Sequence, residues 1–102
     1  MKENFYHGLV LGLLRSQGNW LIQSNAETSE GYSDISICTQ EKTGIVIELK
    51  DAHDGDLEKA CEEALKQIED RKYAEGLKRR GMKNIVKYGI AFCEKECIVK
   101  KL

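Results

Sequence analysis

Residues 32–50, "YSDISICTQEKTGIVIELK", constrain the fold more than any other stretch of the chain. Two runs rich in Ile, Val, Tyr and Thr flank a short polar segment, the pattern of a β-hairpin with a tight turn around Glu41 to Gly44. Side chains alternate between the two faces of a strand, so Glu48 and Lys50 share one face while Ile47 and Leu49 take the other. In the preceding strand Tyr32, Asp34, Ser36 and Cys38 share a face. With the turn centred near Lys42 and Thr43, Asp34 falls opposite the residue just beyond Lys50, within diagonal reach of Glu48 and Lys50. Two carboxylates and an ammonium can therefore converge where an apolar strand ends.

The rest of the chain reads as a simple run of elements. A helix is predicted from Glu3 to Ser16, with Phe5, Tyr6, Leu9, Val10, Leu13 and Leu14 at helical spacing and Gly18 suited to its termination. "NWLIQSN" reads as a short strand. After the loop "DAHDGD", in which Asp56 can cap, Leu57, Ala60, Cys61, Ala64, Leu65 and Ile68 recur at i, i+3, i+4. The pattern continues through Tyr73, Ala74 and Leu77 to Gly81 and predicts one long helix. "NIVKYGIAFCEKECIVKKL" reads as strand, turn, strand. The order αβββαββ, with a strand, helix, strand passage that permits a parallel crossover, predicts an α/β fold: a mixed β-sheet flanked by helices. At 102 residues the chain is expected to form a single domain over 1–102, hiding about 60–70% of its unfolded surface.

Composition narrows the function classes. A net charge of −1 gives no long-range field for drawing in nucleic acid or membrane, so any polyanion must be gripped locally. The start, "MKENFYHGLVLGLLRSQG", resembles a signal peptide superficially, but Glu3, His7 and Arg15 flank the apolar run and no small-residue cleavage site follows, so it reads as mature protein. No run approaches 18 apolar residues, so no membrane partner is expected. Cys38, Cys61, Cys93 and Cys97 are too scattered for a disulfide framework, which points to a reducing cytoplasm.

Asp34, Glu48 and Lys50 admit two readings. Buried together, two carboxylates repel one another and lose hydration, and a divalent cation removes that cost. Mg²⁺ takes oxygen ligands from one or two carboxylates and keeps waters, one of which can attack phosphorus while a lysine orients it or neutralises developing charge. The bland alternative is a solvated strand end carrying a salt bridge. An acid-any-Lys triplet carries little information by itself: about two are expected by chance from 17 acidic residues and 12 lysines, and two occur, at Glu48/Lys50 and Asp70/Lys72.

Context separates them. "YSDI", "IVIELK" and "ALKQIEDRKYAEGLKRRG", in this order, resemble the PD-(D/E)XK nuclease superfamily. With "ENFYHGLVLGLL" and "IVKYGIAF" they are similar to the domain of that superfamily found at the C-terminus of large proteins with an AAA-ATPase-like region. The resemblance covers nearly the whole chain and implies a restriction-endonuclease-like fold. It also implies a Mg²⁺- or Mn²⁺-dependent nuclease acting on nucleic acid, with DNA favoured. Asp34 and Glu48 would be metal ligands, with the Leu49 backbone carbonyl as a third and Glu3 as an acidic residue brought from the first helix. Lys50 would be the catalytic lysine. Gln67 and Tyr73 resemble the Gln and Tyr of the helix motif in exonuclease-like branches. Ser33 stands where the name-giving proline would be. No G-x-x-x-x-G-K-[ST] is present, so the ATPase-like region would belong to a longer parent or the chain stands alone. The alternative function is a weak or inactive nuclease-fold module that binds nucleic acid or protein, and a homodimer would enlarge the binding surface.

The remaining candidates have bland readings. His7, one turn after Glu3, suits a structural hydrogen bond, and His53 suits a solvated loop. Cys93 and Cys97 without a second ligand pair suit free thiols rather than zinc. Arg71, Lys72, Lys78, Arg79, Arg80 and Lys83 make a basic helix end that suits solvent, with phosphate contact as the functional alternative. Tyr73 is expected in the core.

Overall fold

In the computed structural model, described over residues 2–16, 18–27 and 32–102, with the side chains of 2–6, 25–27, 32 and 33 outside that description, the described residues form five strands and three helices. They are α1 (Lys2–Leu14), β1 (Leu21–Glu27), β2 (Tyr32–Cys38), β3 (Thr43–Asp51), α2 (Leu57–Asp70), α3 (Tyr73–Arg79), β4 (Asn84–Cys93) and β5 (Glu96–Lys101). The sheet runs β1-β2-β3-β4-β5, antiparallel except for the central β3–β4 pair, which is parallel across the helical crossover. The expected mixed sheet flanked by helices is therefore present.

Strand alternation divides the core in two. Ile35, Ile37, Ile47, Leu49 and Phe92 face α1 and pack with Val10, Leu11 and Leu14. Cys38 and Val46 face the other way and pack with Ile68, Leu77 and Met82 beneath α2 and α3. Asp34, Glu48 and Lys50 share that second face by parity with Cys38 and Val46. No helix among the described residues is long and apolar enough to cross a membrane.

Two expectations need correction. Asp34 pairs directly with Glu48, not with the residue beyond Lys50. The turn closes earlier than its composition suggests, because Lys42 adopts the left-handed region at φ 68°. Its carbonyl also accepts hydrogen bonds from Lys83 and Asn84 N–H at 2.8 and 3.2 Å, which ties the hairpin to the start of β4.

The second correction concerns the single long helix, which is two. After Ile68 the apolar stripe of α2 would continue at positions 71 and 72, but these are Arg and Lys. Lys72 takes φ 56° and rotates the chain so that the stripe resumes at Tyr73 and Leu77. At the other end of α2 the expected cap forms, with Asp56 Oδ1 accepting from Lys59 N–H at 3.0 Å.

Close approach of α2 to the sheet depends on Gly89, which lies beside Glu48 in the β3–β4 ladder. A methyl group there would sit 2.7 Å from the Cys61 carbonyl oxygen, 3.0 Å from Leu65 Cγ and 3.3 Å from Ala64 Cβ. The Cys61 thiol donates to the Gly89 carbonyl at 2.9 Å. Gly89→Ala should cost about 1–3 kcal/mol by forcing α2 outward. Urea unfolding checks this, and a midpoint equal to the wild type's would show that α2 yields without cost.

Candidate active site

β2 and β3 set the two carboxylates face to face. Asp34 and Glu48 are direct partners in the antiparallel ladder, an arrangement that places Cβ atoms about 4.5–5.5 Å apart on one face. Both are buried, Asp34 4% exposed and Glu48 0%. Glu48 is flanked on the β4 side by Gly89, over which Cys61, Ala64 and Leu65 of α2 lie close. Like charges placed directly opposite repel, and loss of water raises the cost.

Lys50, two residues further along the same face, reaches across to α2. Its Nζ lies 3.2 Å from Glu63 Oε1, and its side chain is 19% exposed. Sequence periodicity could not assign this pairing, because Glu63 lies on the polar side of α2 and pairs with a strand rather than with a helical neighbour.

The break between α2 and α3 supplies a second group of side chains. Gln67, oriented with its amide oxygen toward Arg71, accepts from Arg71 Nε and, at 3.1 Å, from Arg71 Nη2. Arg71 also hydrogen-bonds the Tyr73 side chain, and Tyr73 hydrogen-bonds the Asp34 carboxylate. Burial first, then the charge of Asp34 and the bond to it, push the Tyr73 hydroxyl up to about 12, with Arg71 opposing and Glu48 reinforcing the rise. Tyr73 thus packs against the core, as expected, and also carries a site contact. The chain Gln67–Arg71–Tyr73–Asp34 brings α2 and α3 to the β2 carboxylate. Arg71 was legible only as part of a basic run.

The other sequence candidates fall outside this group. Glu3 lies in α1, and its side chain is outside the described residues. His7 is buried, and among the described residues its Nδ1 has no hydrogen-bond partner. Burial holds it below the usual histidine range, while the Asp34 charge acts the other way. His53 is exposed, with Nδ1 3.2 Å from Asp51 Oδ2. All four cysteines are free thiols.

A divalent cation suits this donor set in kind. Two buried carboxylates offer hard oxygens, and Mg²⁺ needs only one or two while keeping several waters. Among the described residues, which leave out the Glu3 side chain, no group of three His, Cys, Asp or Glu side chains meets that could hold a metal ion.

The Tyr73 hydroxyl sets a pH signature in metal-free protein. Its folded pKa lies above the ordinary value of 10.0, so the stability it confers is fully present below pH 10 and is lost as pH rises toward about 12. Tyr73→Phe should cost about 1 kcal/mol at neutral pH and flatten that part of the alkaline decline. Denaturant midpoints across the range measure both, and identical alkaline slopes for the two proteins would contradict the assignment.

Neither a curated protein nor a solved structure matches the chain significantly. A family model described as the PD-(D/E)XK nuclease superfamily matches residues 1–102. With that match spanning its whole length and the Asp34–Glu48–Lys50 face at the end of its central hairpin, the chain belongs to the PD-(D/E)XK nuclease superfamily.

Proposed function

We propose that residues 1–102 act as one metal-dependent nuclease domain that hydrolyses phosphodiester bonds in nucleic acid, with DNA as the expected substrate. The observation that carries this reading is the direct cross-strand pairing of two buried carboxylates, with Lys50 two residues along the same face. A solvated strand end would not bury both acids.

In this mechanism Asp34 and Glu48 hold Mg²⁺ or Mn²⁺, with the Leu49 carbonyl as a further oxygen and Glu3 as an acidic contribution from α1. Bound there, the cation would supply a water of lowered pKa and would neutralise charge developing at phosphorus. Lys50 donates hydrogen bonds to the attacking water or to a non-bridging phosphate oxygen, and Glu63 restrains its ammonium at 3.2 Å. Tyr73, neutral at physiological pH, donates to Asp34 and fixes that carboxylate's orientation. Gln67 acts at one remove by holding Arg71 against the Tyr73 hydroxyl.

The wider setting is proposed on the same terms. Four free thiols support a reducing, cytoplasmic location. The resemblance to domains borne by AAA-ATPase-like proteins supports an ATPase-like region in a longer parent, and a homodimer would give a small domain the reach to span a duplex.

Purified protein should cut single- or double-stranded DNA with Mg²⁺ or Mn²⁺ and stop when EDTA is added. Lys50→Ala and Asp34→Ala should each lower the rate by about 10²–10³-fold or more with circular dichroism unchanged. Cleavage indifferent to both substitutions would sink the mechanism. Binding without cleavage in any metal would leave a nucleic-acid-binding module instead.

A further inference from the structure

Beside the carboxylate pair, on the β1–β2 side, lies a cavity of about 330 Å³ whose walls include Gln23, Arg71, Lys72, Tyr73, Arg79 and Arg80. Four of these side chains are cationic, and none of the described residues lining the cavity is acidic. In a chain of net charge −1 this is a strong local separation of charge. After the break at Lys72, the basic end of the predicted long helix lines this cavity together with Gln23 of β1 and Ser36 of β2. Arg80 is steadied there, its Nη1 donating to Gln23 Oε1 at 2.7 Å. Tyr73 belongs to both places, lining the cavity and bonding Asp34.

We infer that this cavity is a phosphate subsite, which grips a phosphate of the nucleic-acid strand next to the bond held at Asp34 and Glu48. Guanidinium groups suit phosphate because their planar forks donate paired hydrogen bonds, and converging cations gain by releasing counterions from the strand. Sharing Tyr73 with the carboxylate site places the grip one side chain away from it. The subsite would also answer the objection raised by the net charge, since it supplies the local hold that the overall field does not. This inference rests on the nuclease reading for its substrate, but its test does not depend on cleavage.

The test measures binding of a short fluorescent DNA strand in EDTA, over a range of salt, for wild type and for Arg79→Gln/Arg80→Gln. Both arginines are exposed, so the fold should survive, which circular dichroism checks. The double variant should bind roughly tenfold more weakly and lose about one to two units of the log affinity against log salt slope. Lys95→Gln/Lys101→Gln, which removes two charges at the opposite edge of the sheet, should bind as the wild type does. Equal weakening by the two double variants, or an unchanged slope for the arginine variant, overturns the subsite. Strands with and without terminal phosphates separate the sources of the anion: a terminal phosphate that strengthens binding only when the arginines are present assigns an end-recognising subsite, and indifference to the ends assigns an internal phosphodiester. If the arginine-dependent binding holds but no metal yields cleavage, the subsite stands and the nuclease reading falls.

Discussion

The direct opposition of Asp34 and Glu48 in the β2–β3 ladder is the constraint around which the rest of the molecule is arranged. Two carboxylates, 4% and 0% exposed, lose hydration and repel each other, and an apolar pair of similar size would pack the same space at lower cost. The surroundings deepen this burial. Gly89 lets α2 settle onto β4 beside Glu48, Cys61 and Ala64 keep that approach close, and the turn of chain at Arg71 and Lys72 brings Tyr73 onto Asp34. In the nuclease reading proposed above, a cation held between the two carboxylates would offset that cost.

Much of this was legible in the sequence, for identifiable reasons. The hairpin, the helix cap at Asp56 and the strand, helix, strand passage follow from local patterns: β-branched runs, a capping side chain and helical periodicity. The register was not legible, because it turns on Lys42 adopting a positive φ that lysine composition does not advertise. The difference matters. An even register places Asp34 on the same face as Glu48 and Lys50, whereas the register expected from the turn's composition would place it opposite Asp51. The helix break failed to show for the same reason, since Lys72 is another lysine in the left-handed region. Only the interruption of the apolar stripe at Arg71 and Lys72 hinted at it.

The site's supporting contacts were hidden for a different reason. Lys50 with Glu63, and Gln67 with Arg71 and Tyr73, join side chains on different elements or across a break, where no sequence spacing predicts contact. Net charge was misleading in a similar way. A total of −1 conceals carboxylates gathered at one point and arginines at the next, and a local field of that kind is invisible in the sum.

Cation binding by the opposed carboxylates is tested most directly by thermal unfolding with and without Mg²⁺, comparing wild type with Glu48→Gln. Wild type should gain stability with rising Mg²⁺ as expected for a ligand bound only by the folded state. Glu48→Gln, relieved of one of two like charges, should be at least as stable as the wild type without metal and should gain nothing when metal is added. Equal Mg²⁺ responses in the two proteins, or none in either, would contradict a cation site at Asp34 and Glu48.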